Sequence, residues 1–63
     1  MQKVKSLIKI VNERSNVIVQ GEVCEFCHIT LKNETAFAFI INSFGNHFLI
    51  PYQVFLHHFE PTE

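Results

Sequence analysis

Sixty-three residues allow one domain, 1–63, and one small core. A net charge of −1 excludes a global pull toward nucleic acid or anionic lipid, and no apolar run approaches the ~20 residues of a membrane-spanning helix. Seven Phe, one Tyr and a positive mean hydropathy make a heavy apolar load for so short a chain. A folded chain of this mass should expose on the order of 4,200 Å², against about 10,700 Å² when extended. Apolar burial then contributes on the order of 100 kcal/mol, and ordering the chain costs much the same. Small scaffolds close that gap with disulfides, a metal or self-association. The excess of phenylalanine points to the last, because rings left outside one small interior form the kind of patch that marks an interface.

In chain order, Lys3 to Val11 reads as a first strand, with Val4, Ile8 and Ile10 on one face and Lys3, Lys5 and Lys9 on the other. Such lysines usually blunt a strand edge. Glu60 and Glu63 close the opposite end of the chain. Asn12 to Asn16 is a polar loop, and a second strand from Val17 is predicted to run long. Within it Gly21 should sit mid-strand and permit a sharp bend. The alternation breaks at Glu25 and resumes with Cys27, Ile29 and Leu31, so a bulge or turn is predicted between Cys24 and Cys27.

Lys32 to Thr35 is the next turn. Ala36 to Ile41 follows as a strand apolar on both faces, which in a one-sheet protein implies that the second face meets another subunit. Asn42 to Asn46 is a hairpin loop with Gly45 in a left-handed position, and His47 to Ile50 returns as a strand. Between Pro51 and Pro61 two readings compete. A helix would stack Phe55 on Phe59 and Val54 on His58, whereas a 3₁₀ turn at Pro51 to Val54 followed by a strand would align Phe55, His57 and Phe59. The β-formers favour the second. No internal repeat is visible in the sequence pattern.

This order of strands, with a short turn before the last, is that of small SH3-like and Sm-like barrels. Phe48-Leu49-Ile50-Pro51-Tyr52 is similar to the place in such barrels where a strand enters a 3₁₀ turn, and Val19-Gln20-Gly21-Glu22-Val23 resembles the glycine-bent second strand of Sm-like proteins. The expected fold is therefore all-β, a small SH3-like or Sm-like open barrel of about five strands with a short 3₁₀ or helical turn near Pro51. The Sm-like resemblance would imply a ring-shaped homo-oligomer binding single-stranded RNA, although the family's Asp/Asn base-reading position and glycine-containing closing motif are not evident. Candidate nucleic-acid contacts are Lys3, Lys5, Lys9, Phe26, His28 and Phe44, since aromatic rings beside cations can stack unpaired bases.

Cys24-Glu25-Phe26-Cys27-His28 is the one string that resembles a chemical motif. As C-x-x-C-H it matches haem attachment, but the chain offers no export signal and too little bulk for a haem pocket. Read as a knuckle, Cys24 and Cys27 could share zinc with His47 and His57 or His58. Read as extended strand, the two thiols point to opposite faces and behave as small reduced hydrophobes, the expected state in a cytoplasmic protein. With no Asp in the chain, no phosphate loop and no nucleophile set, catalysis, a resident cofactor and a small-molecule substrate are not expected. Phe37, Phe39, Ile41, Phe55 and Phe59 are the candidate oligomer interface. The expected function is a non-catalytic binding or regulatory module, a homo-oligomer presenting a repeated surface to a protein or nucleic-acid partner. Analogy with other free-standing modules of this size suggests a phage or mobile-element regulator.

Overall fold

The computed structural model describes residues 2–62, so Glu63 lies outside the described residues. Strand β1 (Gln2–Ser6) buries Val4 and Ser6 and turns Lys3 and Lys5 outward. It does not continue to Val11. The Ser6 hydroxyl donates to the Ile8 carbonyl at 2.6 Å, and the Leu7 N–H donates to the His58 carbonyl at 2.8 Å. That local capture draws the chain out of the strand, and it re-enters as β2 (Ile10–Val11), paired antiparallel with β3 (Val17–Ile18). Lys9 falls between strands and does not share a strand face with Lys3 and Lys5.

Gly21 is not mid-strand. Glu22 N–H donates to the Val19 carbonyl at 3.1 Å, and Gly21, at φ +87°, is the third residue of that turn. A positive φ at this position defines a type II turn, where glycine is free of the Cβ penalty. The expected long second strand is thus broken here. Strand β4 (Val23–Lys32) begins beyond the turn and pairs with β1 and with β5 (Thr35–Ile41). Between them Asn33 (φ 52°) and Glu34 (φ 66°) form a two-residue hairpin turn with both central φ values positive, the type I′ geometry that suits strand twist.

The predicted bulge is present. The β4–β5 register steps from Phe26↔Ile40 to His28↔Phe39, leaving Cys27 as the extra residue. Its consequence is a change of face. Phe26 lies on the inner side with buried Ile40, whereas His28 lies on the outer side with Phe39.

Strand β6 (His47–Pro51) returns beside β5, and helix α1 (Tyr52–His58) carries the chain to β7 (Phe59–Pro61), which pairs with β1. The helix prevails over the favoured turn-and-strand reading, although β-propensity argues against it. Seven residues are too few to be stable alone, but the four-residue spacing brings Phe55 and Phe59 to 5.4 Å and places Phe55 4.9 Å from Phe26. This stack, joined by Tyr52 at 6.2 Å from Phe55, anchors the helix over the inner sheet face. The protein is all-β apart from this short helix, with one five-stranded antiparallel sheet in the order β6-β5-β4-β1-β7. Its core is Val4, Ile18, Cys24, Ala38, Ile40, Phe48, Ile50 and Phe59.

The structure also contains an internal repeat. Ile10-Val11-Asn12-x-x-x-Asn16 and Ile40-Ile41-Asn42-x-x-x-Asn46 fold into the same hairpin. In each, the first Asn N–H donates to the second Asn carbonyl, and the side-chain Oδ1 accepts from the backbone N–H groups two and four residues on. The fourth loop residue has positive φ, Ser15 at 65° and Gly45 at 86°. The pair is reciprocal as well. Asn12 Nδ2 donates to the carbonyl of His47, and Asn42 Nδ2 to that of Val17, each the first strand residue beyond the other loop. Two copies of one hairpin therefore face each other in a pseudo-two-fold arrangement, and Glu22 fastens the junction through Val19 and Ser43.

Candidate interaction surface

The outer face of β4–β5–β6 lies opposite the core. Alternation along β5 sends Ala38 and Ile40 inward and leaves Phe37, Phe39 and Ile41 half-buried on the outside, with exposed Leu49 of β6 beside them. The Phe39 ring is flanked by two imidazoles, His28 at 5.1 Å and His47 at 5.2 Å. The Asn12–Asn16 loop stands next to this face and borders an open groove of about 460 Å³, with Val11, Glu13, Arg14, Phe39, His47 and Leu49 among its walls. A second depression of about 330 Å³ continues past Glu13 and Leu49 toward Phe37 and Lys32. The one ion pair among the described residues joins Lys5 to Glu60 at 3.3 Å, so the Arg14 guanidinium carries no carboxylate partner there.

The sheet edges are less inviting than the face. The Asn42–Asn46 bond fixes the β5–β6 alternation, so His47, Leu49 and Pro51 direct their backbone polar groups to the free edge. The His47 carbonyl is taken by Asn12, and Pro51 has no N–H. On β7, the Thr62–Lys3 and Leu7–His58 bonds leave Phe59 and Pro61 facing outward. The Phe59 N–H closes the helix on the Phe55 carbonyl, and Pro61 has none to give. The β7 edge therefore offers no free donor at Phe59 or Pro61, whereas the β6 edge keeps the N–H groups of His47 and Leu49 and is blunted only at its ends.

The residues singled out in the sequence are spread widely. Of the five candidate interface residues, Phe37, Phe39 and Ile41 share the outer face, but Phe59 is in the core at 7% exposure and Phe55 packs against it, so the five form no common surface. Among the nucleic-acid candidates, Phe26 is covered by Phe55 and His28 lies on the opposite face. Lys5 is paired with Glu60, and Phe44 projects from the Asn42–Asn46 loop and stacks on none of the others. No aromatic–cation platform results among the described residues.

The alternative zinc set of Cys24, Cys27, His47 and His57 is not assembled, and no three His, Cys, Asp or Glu side chains gather for a metal among the described residues. Cys24 is buried, His47 sits against Phe39, and His57 Nδ1 lies 2.7 Å from the Gln53 carbonyl on the helix. Burial first, and the Glu22 carboxylate second, push the Cys24 thiol up to about 11, which keeps it protonated and inert at neutral pH.

Sequence reading missed Arg14, Glu22 and Leu49. The Asn-x-x-x-Asn repeat was the available signal, since it places Arg14 and Phe44 at equivalent loop positions. No helix is long and apolar enough to cross a membrane among the described residues. No protein-family profile, curated protein or solved structure matches this chain.

Proposed function

We propose that the protein is a non-catalytic binding module that acts as a homo-oligomer and offers a repeated surface to a macromolecular partner. One observation carries the reading: Phe37, Phe39, Ile41 and Leu49 form an apolar sheet face outside a core that is already complete without them. A second sheet layer is the usual cover for such a face. The blunted β7 edge supports association through the face rather than by strand addition there. The inert Cys24 thiol supports a binding role over nucleophilic chemistry.

Sedimentation velocity and native mass spectrometry over a hundredfold concentration range test it. The expected result is a species at an integral multiple of 7.4 kDa. A chain that remains at 7.4 kDa throughout overturns the proposal.

A further inference from the structure

The most exposed large apolar side chain of the described residues is also among the most rigidly presented. Phe44 is 84% exposed and stacks on no other aromatic ring among those residues. Its backbone is nevertheless held by the Asn42 cage: Phe44 N–H donates to Asn42 Oδ1 at 3.0 Å, and Gly45 N–H to the Asn42 carbonyl at 3.0 Å. The preceding residue is clamped by Glu22, which accepts from the Ser43 N–H at 2.9 Å and hydroxyl at 2.6 Å. An aromatic ring on a pre-ordered loop loses little freedom on binding, which is the character of an interface anchor.

The receptor for such an anchor is on the same molecule. The groove between the Asn12–Asn16 loop and the sheet is about 460 Å³, within the roughly 300–1,000 Å³ range of sites that enclose a ligand group. Phe39 and Leu49 supply apolar walls, and Arg14 supplies a cation that can lie over a ring. The groove carries both Arg14 and Glu13, which form no ion pair with each other, and Arg14 is the group there that can meet the Glu22 carboxylate accompanying the anchor. Knob and groove are also close in the chain, since the groove wall includes His47, one residue beyond the loop that ends at Asn46.

Resting on the homo-oligomer reading above, we infer that two copies dimerise about a two-fold axis with Phe44 of each inserted into the Arg14–Phe39–Leu49 groove of the other. Because each molecule carries both knob and groove, a two-fold rotation that seats one contact seats the other by symmetry and closes the assembly, as an isologous interface does. Each ring would remove on the order of 150–250 Å² from water. The flanking Phe37 and Ile41 face extends the contact.

The chain has no Trp, so Phe44→Trp installs a single reporter at the anchor itself. In that variant, tryptophan emission should move to shorter wavelength as concentration rises through the dimer transition seen by sedimentation. The shift should vanish in Phe44→Trp/Leu49→Arg, and Phe44→Asp should sediment as a folded monomer with an unchanged circular dichroism spectrum. A Phe44→Trp dimer whose emission stays that of an exposed indole, or a Phe44→Asp variant that still dimerises, overturns this interface while leaving the oligomer standing. A wild-type chain that is monomeric at every concentration removes both.

Discussion

The twin hairpins supply an experiment with its own control. Positions 15 and 45 are equivalent in the two loops, and both lie in the left-handed region, at φ 65° and 86°. Loop two has the glycine and loop one a serine. A left-handed conformation costs an L-residue about 1–2 kcal/mol. Glycine returns part of this, about 0.4–1 kcal/mol, through its greater freedom in the unfolded chain. Ser15→Gly should therefore stabilise the fold by about 0.5–1 kcal/mol. Gly45→Ser should destabilise it by a similar amount, since a Cβ built at Gly45 meets nothing within 4 Å and the cost is conformational alone. For a domain of this length these changes correspond to ~2–8 °C in melting temperature. Calorimetry at one fixed protein concentration would show a rise, a fall, and near-cancellation in the double exchange Ser15→Gly/Gly45→Ser. A neutral or destabilising Ser15→Gly would refute the reasoning, because it would mean that the Ser15 side chain contributes something its backbone strain conceals.

The Asn cages themselves should be unequal. Asn42 is 5% exposed and accepts two N–H bonds while donating to Val17, so Asn42→Ala should cost about 2–3 kcal/mol in urea unfolding, and Asn12→Ala, on an open loop, about half as much. Glu22 should make the protein acid-sensitive. Burial alone would raise its pKa, but bonds from the Ser43 hydroxyl, the Ser43 N–H and the Val19 N–H outweigh that and hold it below the ordinary 4.5. A depressed folded-state pKa stabilises above the unfolded value and is lost as pH falls through the folded one. Thermal melts of the wild type should therefore weaken below about pH 4.5, a dependence that Glu22→Gln should reduce; identical pH profiles would count against the clamp. Thiol labelling at pH 8 should modify at most Cys27 in the native protein and reach Cys24 only on denaturation, whereas rapid labelling of both would contradict the burial of Cys24.

Period-two alternation and turn chemistry were sufficient for the all-β class, a turn within Lys32 to Thr35, an irregularity between Cys24 and Cys27 that is a bulge at Cys27, and the strand from Ala36 to Ile41 apolar on both faces. These features are local, and a bulge or a tight turn is written in a few consecutive residues. Whether Tyr52–His58 coils or extends was decided elsewhere, by Phe26 on a strand distant in sequence, whose ring shares the inner face with buried Cys24. The early end of β1 was likewise settled by Ser6 turning onto Ile8 and by Leu7 reaching His58. Most of the candidate surface depends on such long-range choices. Nothing in the sequence announces that Asn12 and Asn42 reach across to each other's hairpins, bring Arg14 beside Phe39, and leave Phe44 standing clear. Local patterning sets which residues alternate; only packing between segments far apart in the chain determines which alternating face the protein covers and which it offers.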